Sequence, residues 1–319
     1  MLDVRAEVLE AEERIRPFIR ETPLEFSHYL SDLGACRVYL KLENLQITGS
    51  FKLRGAVNKL LSLSDEERAR GLVTASSGNH GAAFAYALEK FGCKGRIYLP
   101  EYASPAKVEA LRLLGADIAF HGNDCVLTEA FAKGEAERLG MFWVSPYNDA
   151  KIVGGQGTIA VELERQAGRF DTVLVPVGGG GMASGVGGYL KSGDGDVEII
   201  GCLPQHSPVM YESVKAGRIV EMESKPTLSD GTAGGLETGS ITFDLCRRFI
   251  DDYVLLSEDE IAAALRLVIE KHHMLIEGSA ALPVAAFIKS RERFAGRDVV
   301  LVLSGAKIGL EKLLEVLKR

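Results

Sequence analysis

Short β-branched runs alternate with longer segments of helical periodicity along most of this 319-residue chain. The run Val173-Leu174-Val175 is apolar without alternation, which is typical of a strand buried on both faces of a sheet. Strands that alternate with helices predict an α/β fold with mostly parallel sheets covered by helices. The predicted strands cover residues 38–42, 72–74, 96–99, 117–120, 142–145, 172–176, 198–203 and 299–303, and the predicted helices include 84–91, 105–114, 127–139, 157–166 and 258–272.

The composition excludes several classes of function. The net charge is -7 and no run of Lys and Arg resembles a phosphate-backbone footprint, which argues against nucleic acid as a partner. No apolar run has the length of a membrane span, and the charged, helix-periodic N-terminus is unlike a secretory signal. The five cysteines occur singly, so we expect neither a zinc site nor disulfides. These features predict a cytoplasmic globular protein with no membrane partner.

A run of four glycines follows the predicted strand 172–176, at the edge where parallel sheets bind ligands. The turn consists of Gly178, Gly179, Gly180, Gly181 and Met182. Consecutive glycines let the main chain approach a ligand closely and aim several N–H groups at one phosphate. A dinucleotide site is disfavoured, because the glycine spacing differs from G-x-G-x-x-G.

Two further turns follow predicted strands. The first contains Ser76, Ser77, Gly78, Asn79 and His80. Backbone N–H groups at the start of a helix bind anions, although Ser and Asn are also ordinary helix caps. Ser304 opens the second turn, after the strand 299–303, and this turn alone is typical of any strand end.

Lys52 follows Phe51 at the start of a helical pattern. A lysine in that place is usually a solvated side chain. A desolvated lysine has a lowered pKa, however, and can condense with an aldehyde. Lys52 is therefore a candidate nucleophile if the fold buries it.

Taken together and in this order, these segments resemble the fold type II pyridoxal-phosphate enzymes, which are tryptophan synthase β-like. The similarity is greatest to the threonine and serine dehydratases, a group that includes serine racemase. The stretch from Lys41 to Lys52, K-L-E-N-L-Q-I-T-G-S-F-K, is similar to the lysine motif of that group. The resemblance covers nearly the whole chain from Ile15. It implies two α/β/α domains with the cofactor in the cleft between them: a large domain of residues 1–63 and 146–319, and a small mobile domain of residues 64–145.

The resemblance also implies roles for the candidate residues. Lys52 would hold pyridoxal 5'-phosphate through a Schiff base and, once freed, would remove the substrate α-proton. Phe51 would pack beside the cofactor ring, Asn79 would hydrogen-bond the ring 3-hydroxyl, and Ser304 would face the ring nitrogen. A hydroxyl cannot protonate that nitrogen as a carboxylate would, so the ring would be a weaker electron sink.

The loops receive complementary roles from the resemblance. Residues 178–182 would bind the cofactor phosphate, and backbone groups of residues 76–80 would hold the substrate carboxylate. The implied reaction is elimination of water from a small β-hydroxy amino acid, of the L-threonine or L-serine type, to give a 2-oxo acid and ammonia. Members of the family are commonly dimers or tetramers, so a homo-oligomer is expected.

The sequence departs from the family pattern at the divalent-cation site. Leu203 and Val209 occupy the positions where cation-binding members carry acidic residues. Hard cations prefer oxygen ligands, which these side chains lack. We therefore expect no metal at this place.

Other departures leave the substrate open. Ser77 stands where many threonine dehydratases have Ala, and in the racemase a serine here is the second acid/base, so racemisation stays an alternative. Against it, Leu127 replaces a substrate-contacting Arg of the racemase. Ala82 and Lys307 also replace usual residues, so a bulkier or acidic serine, such as phenylserine or 3-hydroxyaspartate, is a further alternative. A synthase of the cysteine-synthase type and a non-catalytic binding protein are the remaining rivals.

Overall fold

Two mostly parallel sheets form the centre of the molecule. The computed structural model describes residues 2–101, 103–123, 125–193 and 196–318. The strands are β1 (Leu24–Phe26), β2 (Arg37–Lys41), β3 (Leu72–Ala75), β4 (Gly95–Leu99), β5 (Asp117–Phe120), β6 (Phe142–Trp143), β7 (Thr172–Pro176), β8 (Glu198–Pro204), β9 (Asp252–Leu256) and β10 (Asp298–Val302). One sheet has the order β1-β2-β10-β7-β8-β9 and the other β5-β4-β3-β6. Every pairing is parallel except that of β1 with β2.

Helices connect successive strands and cover the sheets. They are α1 (Val4–Ile15), α2 (His28–Gly34), α3 (Lys52–Leu61), α4 (Asp65–Ala69), α5 (Asn79–Phe91), α6 (Pro105–Leu113), α7 (Cys125–Leu139), α8 (Ala150–Ala167), α9 (Gly181–Leu190), α10 (Val209–Ala216), α11 (Ile241–Phe249), α12 (Glu258–His272), α13 (Gly278–Lys289) and α14 (Leu310–Lys318). No helix among the described residues has both the length and the apolar character needed to span a bilayer.

The central strand β7 is buried on both faces, as its apolar sequence predicts. Val173 and Val175 belong to one hydrophobic core cluster and Leu174 to another, because successive side chains of a strand point to opposite faces. The four-stranded sheet shows the same division, with Leu72 and Val73 in separate clusters. The predicted α/β class with mostly parallel sheets is confirmed.

All eight predicted strands are present, with ends that agree to within two residues, but two further strands were not predicted. The first, β1, has only three residues and pairs antiparallel at the edge of the sheet. The second, β9, is the opposite edge strand, and its run Tyr253-Val254-Leu255-Leu256 is apolar although most of its residues are only half-buried. The predicted limits of a small domain, 64–145, contain β3 to β6, and the division into a fixed and a mobile domain stays a prediction.

A network of fully buried charges attaches α3 to the six-stranded sheet. The Arg54 guanidinium donates to both carboxylate oxygens of Glu43 at 2.7 and 2.8 Å and to both of Glu162 at 2.7 and 2.8 Å. Lys41 donates to Glu162 at 2.6 Å, and all four side chains are inaccessible to solvent. Desolvation lowers the pKa of Arg54, but Glu43 and Glu162 raise it further, so the guanidinium stays charged.

We expect Arg54→Ala to lower the free energy of unfolding by about 3–5 kcal/mol, because two carboxylates would stay buried without their shared partner. Denaturant titration measures this loss. Arg54→Lys should give an intermediate loss, since an ammonium cannot form the two-sided fork. The exposed Arg138, which pairs with Glu135 on α7, is the matched control, and Arg138→Ala should be indistinguishable from the original chain. An Arg54→Ala loss no larger than that of the control would contradict this role.

Candidate active site

A cavity of about 1150 Å³ lies where the carboxyl ends of strands from both sheets meet. Residues 76–80 follow β3 of the four-stranded sheet, whereas residues 178–182 and Ser304 follow β7 and β10 of the six-stranded sheet. All of these, together with Phe51 and Lys52, line the cavity. The structure therefore brings together every candidate site residue that the sequence predicted.

The Lys52 side chain is placed by a bridge between its own turn and the end of β10. Ser50 and Gly305 form an antiparallel bridge. The Phe51 N–H donates to the Ser304 carbonyl at 3.1 Å, and the Ala306 N–H donates to the Gly49 carbonyl at 2.9 Å. Helix α3 begins at Lys52, so its side chain and Ser304 are fixed to the same strand end.

The fold buries the Lys52 amine, which is the condition under which the sequence predicted a nucleophile. Its Nζ donates to the Pro146 carbonyl at 2.7 Å. Burial lowers the pKa of Lys52 to about 8, while the carboxylates of Glu129 and Glu277 act in the opposite direction. The neutral, nucleophilic form of the amine is therefore far more populated near neutral pH than in an ordinary lysine.

The glycine turn is packed too closely for side chains. A Cβ atom on Gly179 would lie 2.3 Å from Cγ of Tyr147, and one on Gly178 would lie 2.9 Å from Cα of Thr232. Gly180 has a φ of +84°, in the left-handed region, and α9 begins directly after it. The main chain of this turn therefore faces the cavity at the N-terminus of a helix, where anions are stabilised.

The turn after β3 presents main chain in the same way, at the start of α5. The Gly78 N–H donates to the Ser76 hydroxyl at 3.2 Å, which shapes the turn, and Ser77 lines the cavity. The His80 ring Nε2 instead lies 3.0 Å from the Thr74 hydroxyl oxygen. Burial, with the Lys52 charge, lowers the pKa of His80 to about 3, so the ring is neutral and structural.

The Asn79 amide contacts a buried carboxylate that sequence reasoning assigned no role. Its Nδ2 donates to both oxygens of Glu277, each at 2.9 Å. Glu277 also accepts from the Lys307 backbone N–H at 3.2 Å. Burial raises the pKa of Glu277 to about 7. The available signal was a single acidic residue directly before the small-residue helix α13.

Sequence reasoning also missed a pair of neighbouring carboxyl groups, Glu129 and Glu237. Glu237 accepts from Asn148 Nδ2 at 3.1 Å and lies 3.5 Å from the Lys133 Nζ. Burial and the neighbouring Glu237 raise the pKa of Glu129 to about 7. Helix α7 and the loop before α11 carry these groups, so only the tertiary fold brings them together.

Leu203 and Val209, which occupy the positions where cation-binding members of the family carry acidic residues, are buried apolar side chains. Within the described part of the chain, no group of three or more His, Cys, Asp or Glu side chains could hold a metal ion.

The chain is similar to known proteins over almost its whole length. The family model described as pyridoxal-phosphate dependent enzyme matches residues 15–305. An L-threonine ammonia-lyase of Thermotoga maritima is 38% identical over 315 residues, which are 98% of this chain and 78% of that protein. A beta-hydroxyaspartate dehydratase of Paracoccus denitrificans is 36% identical over 308 residues, covering 96% and 97%. The structure of maize serine racemase superimposes with a TM-score of 0.91 at 30% identity, covering 98% and 96%.

The residues present fit pyridoxal phosphate. The cavity offers a desolvated amine for an aldehyde and a side-chain-free cradle for a phosphate. The Ser304 Oγ is buried and has no hydrogen-bond partner among the described residues, so a polar ring atom would satisfy it.

We expect Gly179→Ala to weaken pyridoxal-phosphate binding roughly tenfold or more, because the added methyl group overlaps the Tyr147 ring. Fluorescence titration of the apoprotein with the cofactor measures the change. Gly134→Ala is the matched control, since a Cβ atom there meets open space on α7. Equal affinities of the two variants would show that the cradle is not the phosphate site.

Proposed function

Since the chain belongs to the pyridoxal-phosphate-dependent enzyme family, we propose that it is a lyase that removes water and then ammonia from a small β-hydroxy amino acid. The substrate is of the L-threonine or L-serine type and the product is a 2-oxo acid. The observation that carries the proposal is the meeting of the desolvated Lys52 amine, the glycine cradle and the partnerless Ser304 hydroxyl in one cavity.

Lys52 has two tasks in this proposal. Its Nζ would hold the cofactor aldehyde, and as a free amine it would take the α-proton of the substrate. A base of this kind contributes roughly 10² to 10⁴-fold to the rate, and a pKa near the working pH suits it. The bound cofactor supplies the electron sink for the pair left at the α-carbon.

The turn of residues 76–80 orients the substrate. Its backbone N–H groups, at the N-terminus of the 13-residue helix α5, form the anion site for the substrate carboxylate. The α-proton goes to Lys52, and the ammonium formed there can return a proton to the departing β-hydroxyl, which leaves as water. The enamine released afterwards takes up water and yields the 2-oxo acid and ammonia.

A second candidate substrate, 3-hydroxyaspartate, is favoured by one lysine. Lys307 lines the cavity and forms no ion pair among the described residues, although the charge of Glu277 acts on its ammonium. In contrast, Lys107 and Lys133 each lie near a carboxylate, Asp230 and Glu237. The relative from Paracoccus denitrificans that carries the name beta-hydroxyaspartate dehydratase supports the same candidate. Four lining carboxylates oppose it, because they repel a second acidic group.

The decisive experiment is a panel of β-hydroxy amino acids with detection of the 2-oxo acid. We expect turnover of L-threonine and L-serine, and Lys52→Ala should abolish both the turnover and the covalently bound cofactor. Lys307→Met should leave threonine turnover within about twofold, whereas it should strongly reduce turnover of 3-hydroxyaspartate if that is the substrate.

The same panel separates the remaining alternatives. D-serine in excess of pyruvate, lost in Ser77→Ala, would make the protein a racemase. Turnover of phenylserine alone would identify a bulkier substrate. Normal turnover by Lys52→Ala would end the proposal.

We expect the rate at which the apoprotein captures pyridoxal phosphate to rise with pH through a midpoint near 8 and to level off about one pH unit higher. The reason is that Lys52 reacts only as the neutral amine, and burial lowers its pKa to about 8. Stopped-flow absorbance over a pH series measures the rate, with Lys52→Ala as the control for non-specific lysines. A midpoint near 10.5, the ordinary value for lysine, would contradict the buried position.

The family resemblance supports three further expectations. They are a homo-oligomer, either dimer or tetramer, a cytoplasmic location, and movement of residues 64–145 against the rest of the chain. Light scattering of the holoenzyme, with and without substrate, addresses the first.

A further inference from the structure

The Glu277 carboxyl group is deeply buried beside the proposed cofactor ring. Only 4% of the residue is exposed. Its two oxygens lie at equal distances, 2.9 Å, from the Nδ2 of Asn79, which begins helix α5 after β3 of the four-stranded sheet. Burying a carboxylate is costly unless it is hydrogen-bonded, and the two contacts with the Asn79 amide provide those hydrogen bonds.

The surroundings leave the carboxylate little freedom. A Cβ atom on Gly305 would lie 2.7 Å from the Glu277 Oε1, and one on Gly231 would lie 3.4 Å from it. The Lys307 N–H holds Oε2 at 3.2 Å. The side chain is therefore confined between two glycine turns and directed at Asn79.

A carboxylate can only accept hydrogen bonds. An Asn side chain has one end that accepts, the carbonyl oxygen, and one end that donates, the NH₂ group. The amide has nearly the same shape after a half-turn, so packing alone does not choose its orientation. A carboxylate at 2.9 Å makes the choice, because the carbonyl end would be repelled. One N–H of the Asn79 amide donates to both carboxylate oxygens of Glu277. The second N–H of the same amide stays available for another acceptor in the cavity.

We propose that Glu277 is a positioning residue that holds the NH₂ end of Asn79 so that its second N–H donates to the ring hydroxyl oxygen of the cofactor. A fixed donor stabilises the ionised form of that oxygen. Glu277 thereby acts through Asn79 on the electronic state of the bound cofactor. The inference depends on the proposed cofactor position and not on the identity of the substrate.

Protonation of Glu277 would release this constraint. Burial and Asp230 raise the pKa of Glu277, while Asn79 and the Lys307 N–H and ammonium lower it, which gives a value of about 7. Lys52 is the other charged group that acts on it. A neutral carboxyl can donate to the amide carbonyl, so below this pH both orientations of Asn79 become acceptable.

The test is the absorbance spectrum of the substrate-free holoenzyme over a pH series, which does not require turnover. In Glu277→Gln the amide loses its fixed direction, and the midpoint at which the ring hydroxyl ionises should rise by about one pH unit or more. In an Asn79→Ala background the same substitution should cause no further change, because the residue through which it acts is absent.

Asp230→Asn is the matched control, since it removes a nearby negative charge without contacting Asn79. Its midpoint should stay closer to that of the original chain than the Glu277→Gln midpoint. An equal shift in both, or a full shift in the Asn79→Ala background, would overturn the positioning role in favour of charge acting through space. Should Glu277→Gln fail to fold by circular dichroism, Glu277→Asp retains the carboxylate with a shorter reach and should give a smaller shift in the same direction. No shift in that folded variant would also overturn it.

The two proposals fail separately. Absence of borohydride-trapped cofactor on Lys52 in the original chain would refute the proposed function. Normal trapping with an unchanged midpoint in Glu277→Gln would refute only the positioning role.

Discussion

Arg54 lies two residues after Lys52 on α3, and its buried contacts with Glu43 and Glu162 hold that helix in one place. Such a network adds little net stability, since desolvation offsets most of the attraction. The network fixes the orientation of α3, because a guanidinium shared by two carboxylates tolerates few geometries. The position of the Lys52 amine, and hence of everything arranged around it, depends on this fixed helix start.

A buried amine needs a cavity, and the two sheets supply it at their carboxyl ends. The lowered pKa of Lys52 follows from that enclosure and not from a neighbouring cation, since desolvation is its largest cause and the carboxylates nearby act in the opposite direction. The glycine turn fits the same logic. Tyr147 fills the space where side chains of the turn would lie, so the backbone is left to face the ligand.

Features encoded by neighbouring residues could be predicted from the sequence. The glycine run, the turn of residues 76–80 and Lys52 all stand beside strands or helices with clear periodicity, and the structure places them in one cavity. Glu277 could not be found this way, because its partner Asn79 is 198 positions away and the contact depends on how the two sheets face each other. The edge strands β1 and β9 were missed for different reasons: β1 is too short to show a pattern, whereas the apolar run from Tyr253 to Leu256 was a usable signal for β9.

The bridge between Ser50 and Gly305 attaches the residues that would hold the cofactor to a single sheet. Lys52, the glycine cradle and Ser304 are all attached to the six-stranded sheet, so the bonds that retain the cofactor lie within one frame. Asn79 and the turn of residues 76–80 belong to the opposite sheet. Any displacement of the four-stranded sheet would therefore carry the Asn79 amide and the proposed carboxylate site together and would alter the Asn79–Glu277 contact, while Lys52 and the glycine turn stay attached to the six-stranded sheet. Binding of the amino acid and the ionisation state of the cofactor ring would then be coupled.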